Sequence, residues 1–317
     1  MNKSICFIGI LFLFAQCKNA IRNESASLVL EAGTDFSANK SIAEKNIDVD
    51  TLVGNYTALY GFWVGYFENA ESHDESNKAI YADEGFIWNR QNKINISIDK
   101  IEGEKVTGHS VVAGNDRPFS GIVKIAGSAY LFEVKEPGDD KYDGTFSFKI
   151  TNGKLEGTWQ AYKKIEISKR KYELEKKVFK YNPDVMMDEY KPFVDWQKSV
   201  VTDTWGDDDG YTEIIKEFAT STQLIYKVNA SNTLLKKEDV ANMKKGDLLV
   251  IRNAIYARHG YSFKNRPLRV FFDSQDWYIP VHTDIKKDFT EIEKKNIELL
   301  LRYEKNAKEY YDYFGRG

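Results

Sequence analysis

Arg252, Tyr256 and His259 follow one another at spacings of four and three, so a helix sets a guanidinium, a phenol and an imidazole on one side. Arg258 adds a second guanidinium, Tyr261 comes just after, and Trp277 and Tyr278 stand together downstream. Cations beside flat rings suit an anionic or sugar-like ligand, because the cations pair with charge and the rings stack. The same residues carry a second reading. Arg252, Arg258 and His259 can pin their helix to Glu291, Glu293 or Glu298 of a later one. Other chemistry is harder to find. Catalysis needs a nucleophile with a base, or paired acids in a cleft. No Gly-x-Ser-x-Gly, HExxH or glycine-rich phosphate loop is present, and the only cysteines are Cys6 and Cys17. A non-enzyme without a cofactor is expected. For metals, His73 lies in an acidic loop, ENAESHDESNK, that reads as solvated. In TDTWGDDDGYTE, Gly210 places Asp209 and Asp207 as in a calcium loop, but the first and twelfth positions fall on Trp205 and Lys216, so no metal is expected. His109, beside Ser110, reads as a strand histidine.

The basic and aromatic residues need a helical scaffold. Leu248, Ile251 and Ile255 mark the buried face of a helix that Asp247 can cap and Gly260 can end. Leu234–Met243 reads as a short first helix. Asn265 and Pro267 start another, RPLRVFFDSQ, followed by the loop DWYIP. Thr290 and Glu293 form a capping-box pattern before a last helix, which has Ile292, Asn296, Leu299, Leu300 and Tyr303 on one side. This helical domain occupies 230–317.

Upstream, over 51–181, the period is two. Ile94, Ile96 and Ile98 share a face, as do Tyr130, Phe132 and Val134, and Phe146, Phe148 and Ile150. Turn signals separate the runs. Counting Tyr60–Phe67, Ala79–Trp88 and Phe119–Ala126 gives about eight antiparallel strands, enough to close an up-and-down barrel. Residues 165–181 read as charged strands covering an edge. Periodicity is lost across 182–229, a packed linker rich in aromatics. The fold class is therefore α+β.

The chain has 317 residues, 29% of them charged, with a net charge of −3, so no broad basic field is available for nucleic acid. The first residues give an address. Lys3 precedes the apolar run Ile5–Ala15, then Cys17 and a polar stretch. This resembles a bacterial lipoprotein signal, although Gln16 departs from the usual box. It implies a signal peptide over 1–16, lipid on Cys17 and a tether over 17–50. The expected location is the membrane of a Gram-negative envelope, in the periplasm or on the outer membrane.

Two further resemblances bear on fold and role. Gly61, Trp63 and Gly65 on the first strand, with Gly157 and Trp159 on a late one, resemble the lipocalin–avidin barrels, in which such residues plug the tapered floor. The strings RNAIYARHGYSF, FFDSQDWYIP and FTEIEKKNIELL resemble the YARHG domain family, with Tyr256, Ala257, Arg258, His259 and Gly260 as the eponymous motif. That family implies a small, mostly helical module of exported bacterial proteins with no established chemistry. The function read first is an exported, lipid-anchored, non-enzymatic binding module that takes an envelope component such as peptidoglycan, or a partner protein, through its YARHG domain. The alternatives are a lipocalin-like carrier of a small apolar ligand and an uncharacterised envelope enzyme.

Overall fold

Alternation of apolar and polar residues builds strands with one buried face, and eight such faces curl around a common core. The computed structural model describes residues 56–71, 80–81, 87–88, 90–206 and 210–307. The expected signal peptide, Cys17 and tether lie outside them, as do His73 and Asp207–Asp209. No helix among the described residues is long and apolar enough to cross a membrane.

The strands are β1 (Gly61–Asn69), β2 (Ile80–Tyr81), β3 (Ile87–Trp88), β4 (Asn92–Glu102), β5 (Lys105–Val112), β6 (Asn115–Ala126), β7 (Ala129–Lys135), β8 (Gly144–Thr151), β9 (Lys154–Ala161) and β10 (Lys169–Lys177). Eight of them close an antiparallel barrel in the order β1-β10-β9-β8-β7-β6-β5-β4. Asn152 and Gly153 both take positive φ, as do Ala113 and Gly114, which gives the two-residue turns that match strand twist.

Two strand assignments change. The described residues of 79–88, strands β2 and β3, supply no barrel strand and pair only with each other. The eighth place belongs to β10, read above as an edge cover, which pairs with both β9 and β1. Lys169, Lys171, Glu173, Glu175 and Lys177 alternate outward, while Tyr172 and Leu174 turn into the core.

Side chains fill the barrel interior. Phe132 stacks on Phe148 at 4.6 Å, and Phe67 meets the edge of Trp159 at 5.6 Å. Trp63 is buried at one end, where its Nε1 donates to Leu59 O at 2.9 Å beneath the short helical turn Tyr56–Ala58. Trp159 sits elsewhere. It pairs in register with Phe146 and Arg170, at the opposite end from Trp63, which pairs with Ile96 and Lys176. The two indoles thus plug opposite ends and not one floor, because antiparallel strands carry the two residues to different rims. Gly61 takes a φ of +101° at the strand's start. Gly65 and Gly157 allow close strand approach: a Cβ on Gly157 would stand 2.5 Å from Phe148 Cβ, and one on Gly65 2.3 Å from Glu173 O. Charged residues face outward along β7 and β10, the reverse of a membrane-spanning barrel.

Residues 182–229 hold a feature that periodicity missed, the long hairpin β11 (Val194–Gly206) and β12 (Thr212–Thr220). Register shifts after Asp195 and Val201 break its alternation, which hides it in the sequence. Helices α1 (Lys237–Val240), α2 (Lys245–Arg258), α3 (Arg266–Asp273) and α4 (Glu291–Asn306) follow. Asp247 stands in the first turn of α2 and not before it, and its carboxylate accepts from Lys244 N and Thr222 N. Asn265 caps α3, and the Thr290–Glu293 capping box opens α4.

The helices dock on the barrel's outer wall. Lys93 N donates to Asp273 Oδ2 at 2.8 Å, and Lys93 Nζ reaches Gln275 O and Tyr278 O. Tyr66 Oη donates to Asp273 O at 2.9 Å, and Gly114 N to Ser262 Oγ at 2.9 Å. Barrel closure through β10 has a direct check. Leu174→Ala is expected to cost about 2–5 kcal/mol in urea unfolding, as for any core leucine; a loss under about 1 kcal/mol would return β10 to the role of an edge cover.

Candidate functional site

Helices α2 and α4 pack against each other, and Arg252 and His259 lie along their contact. Arg252 meets Glu304 bidentately, Nε to Oε2 at 2.8 Å and Nη2 to Oε1 at 3.1 Å. Glu304 is a partner the sequence reading did not name.

At the other end of α2, Gly260 takes a φ of +72°, and its carbonyl accepts from Val281 N and His282 N. This turn presents His259 to Glu293. His259 Nε2 lies 2.8 Å from Glu293 Oε2, and both side chains are buried. Glu293 also accepts from Thr290 N at 2.9 Å and from Tyr181 Oη at 3.0 Å. Tyr181 stacks on the His259 ring at 4.2 Å. Burial pushes the Glu293 carboxyl up, but hydrogen bonds from His259, Thr290 and Ser231 outweigh it and hold it below the usual carboxylate range.

Arg258 turns away from α4. Its Nε donates to Val185 O at 2.9 Å and its Nη1 to Ser231 Oγ at 3.2 Å. Burial lowers its pKa to about 10, with nearby Glu293 opposing. Tyr278 is 1% exposed and donates to Tyr261 O at 2.7 Å. Tyr256 is half-buried against Phe289 and Tyr261, and Trp277 is half-buried with its Nε1 unpartnered. The basic-aromatic ledge therefore does not form as a surface. Arg258, His259 and Tyr278 serve the core, and only Arg252, Tyr256, Tyr261 and Trp277 keep partial exposure. The pinning reading names the right kind of contact. Of its three acids, Glu293 holds His259, while Glu291 and Glu298 bond Lys294 and Arg302 on α4 itself.

Residues 222–305 match the YARHG domain family. This part of the chain is similar to YARHG domains. Its motif is a buried knot at the α2 C-terminus. No curated protein and no solved structure matches the chain. Among the described residues no cluster of His, Cys, Asp or Glu could hold a metal. His109 Nδ1 meets Asp99 Oδ2 at 3.0 Å on the barrel wall.

Two features outside the YARHG domain also escaped the sequence. Glu136 is buried at the Trp159 end of the barrel, where its Oε2 accepts from Gly144 N at 2.7 Å and Trp159 Nε1 at 3.0 Å. Burial raises its pKa to about 7. A groove of about 710 Å³ opens on the outside of the barrel, lined by Glu133, Lys149, Glu156 and Lys171 among others. Inside the barrel, Phe67, Phe132, Phe148 and Trp159 belong to one packed cluster.

Two outcomes test these assignments. Arg258→Ala is expected to lower stability by about 2–4 kcal/mol, because it leaves Val185 O and Ser231 in the core without their donor. A variant as stable as the parent would move Arg258 out of the core. Glu136 and Asp273, the latter also raised to about 7 by burial, hold protons in the folded state that the unfolded chain releases near pH 4. Stability should therefore fall as pH rises from about 4 to about 7. Glu136→Gln should flatten that fall by on the order of 2 kcal/mol, read by denaturant unfolding at pH 5 and pH 8.

Proposed function

We propose that this protein is an exported, envelope-associated binding protein that engages a cationic protein partner through the β11–β12 hairpin, with the barrel and the YARHG domain as its rigid mount. The observation carrying this reading is the hairpin itself. It is a two-stranded ribbon with no third strand among the described residues. Val201, Trp205, Tyr211, Ile214 and Ile215 are exposed along it, Trp205 by 62%. Lone exposed apolar residues are ordinary on a surface, but five on one ribbon mark an interaction site.

Charge gives the partner its chemistry. Residues 194–220 contain two lysines and seven carboxylates, a net of 2 − 7 = −5. Asp203 pairs with Ile215 and Val200 with Glu217, so apolar and acidic side chains share one face with Trp205. That face favours a basic protein segment over anionic lipid or wall polymer. Both ribbon edges also offer backbone groups to an incoming strand. The base is held firmly: Phe193 packs edge-on against Phe271 of α3, and Val194 and Ala219 are buried.

The apolar run before Cys17 supports a lipid anchor that keeps the protein at the membrane. The filled barrel and the structural role of the YARHG motif support binding over catalysis.

Photo-crosslinking tests the reading. A photoreactive phenylalanine analogue at position 205 should give a discrete adduct in envelope extracts, and the same group at Leu131 on the barrel should not. Asp203→Lys with Glu217→Lys should abolish the adduct, and mass spectrometry should place it in a basic segment. Equal adducts from both positions, or indifference to charge reversal, would overturn the proposal.

A further inference from the structure

The groove of about 710 Å³ on the outer wall of the barrel crosses strands β7 to β10, and its volume lies in the range of small-ligand sites. Register places the side chains that make it. Glu133 on β7 stands opposite Ser147 on β8, Ser147 opposite Thr158 on β9, and Thr158 opposite Lys171 on β10. All four are exposed and line the groove. The two middle side chains are short, so the longer ones around them rise as walls.

A second row runs alongside. Glu173 on β10, Glu156 on β9, Lys149 on β8 and Leu131 on β7 stand opposite one another in turn. Its charges are paired: Lys149 Nζ meets Glu156 Oε2 at 3.1 Å, and Glu173 meets Lys154. The first row keeps its charges for a ligand. Glu133 forms no ion pair among the described residues, and Lys171 reaches Glu68 only at 4.0 Å. The groove therefore presents, in one line, a carboxylate, two hydroxyls and an ammonium. Neighbouring strands lie about 4.8 Å apart, so three intervals separate Glu133 from Lys171 by about 14 Å at the backbone. An extended peptide spans at most about 3.3–3.6 Å per residue, so about four residues cover that length.

We propose that this groove is a binding site for a short linear peptide with free ends, whose ammonium meets Glu133, whose carboxylate meets Lys171 and whose amide groups meet Ser147 and Thr158. A hydroxyl both donates and accepts, which suits the N–H and C=O of a peptide. The two end charges set direction and length. A much shorter chain cannot bridge them, and an internal segment of a folded protein has neither free end. Leu131 adds an apolar contact near the ammonium. The site depends on barrel register and is independent of the hairpin. A ligand of this size gives no protein-sized adduct at Leu131, so either proposal can fail alone.

Calorimetric titration of the full chain with tetra-alanine tests it, beside N-acetyl tetra-alanine and tetra-alanine amide. Saturable binding is expected, weakened at least about tenfold by blocking either end, since each block removes a charge-assisted pair. The variants should lose this sensitivity selectively. Glu133→Gln should bind the free and the acetylated peptide alike, and Lys171→Gln the free and the amidated peptide alike, as a double-mutant cycle requires once a contact is gone. Lys105→Gln, exposed on β5 outside the groove, should bind as the parent does. Each comparison is made within one variant, so a change in folding does not mimic the selective loss. Absence of saturable heat with tetra-alanine would overturn the proposal. So would equal binding of free and blocked peptides by the parent, or end sensitivity that survives in both groove variants.

Discussion

The buried carboxylate of Glu293 holds the helical module together. A charge removed from water survives only when its lone pairs are filled. Here Thr290 N, His259 and Tyr181 Oη fill them from three different segments. One acid therefore starts helix α4, fixes the end of α2 and ties down the chain leaving the barrel. The requirement runs both ways. His259 must come out of the α2 terminus at the right angle, which needs the left-handed turn at Gly260. Arg258 then points back to Ser231 and Val185. The motif thus reads as a folding device, with each letter meeting a constraint set by the next.

A second constraint joins the module to the barrel. Lys93 has its ammonium against two carbonyls and its pKa lowered to about 8 by burial, with Asp273 opposing. A buried cation of this kind adds less to stability than to register: it accepts one docking position and rejects its neighbours. With Tyr66 and Gly114 also bonded across the seam, the barrel serves as a platform. Its interior is filled by aromatic packing.

Much of this was legible in the sequence where the cause is local. The period-two runs of β4, β7 and β8 appear as strands, and the caps at Asn265 and Thr290 lie where side chains three residues apart satisfy helix termini. Leu248, Ile251 and Ile255 form the buried face of α2 as their spacing requires. The misreadings share a cause. Strand β10 hid its two inward residues among outward charges, and hairpin β11–β12 lost its alternation to register shifts. Trp63 and Trp159 look like one plug until strand direction carries them to opposite rims.

The sequence by itself determined most barrel strands, the helix boundaries set by caps and glycine, and the likeness of the C-terminal part to the YARHG domain family, whose model matches residues 222–305. These depend on neighbours within a turn or a strand, where spacing and residue type suffice. Only the tertiary structure decided which carboxylate meets which cation: Glu304 for Arg252, Glu293 for His259 and Asp143 for Arg117. Such pairings follow from barrel closure, strand register and the docking of α3 on the rim. They join residues as far apart as Tyr66 and Asp273, and no local spacing encodes a distance across space.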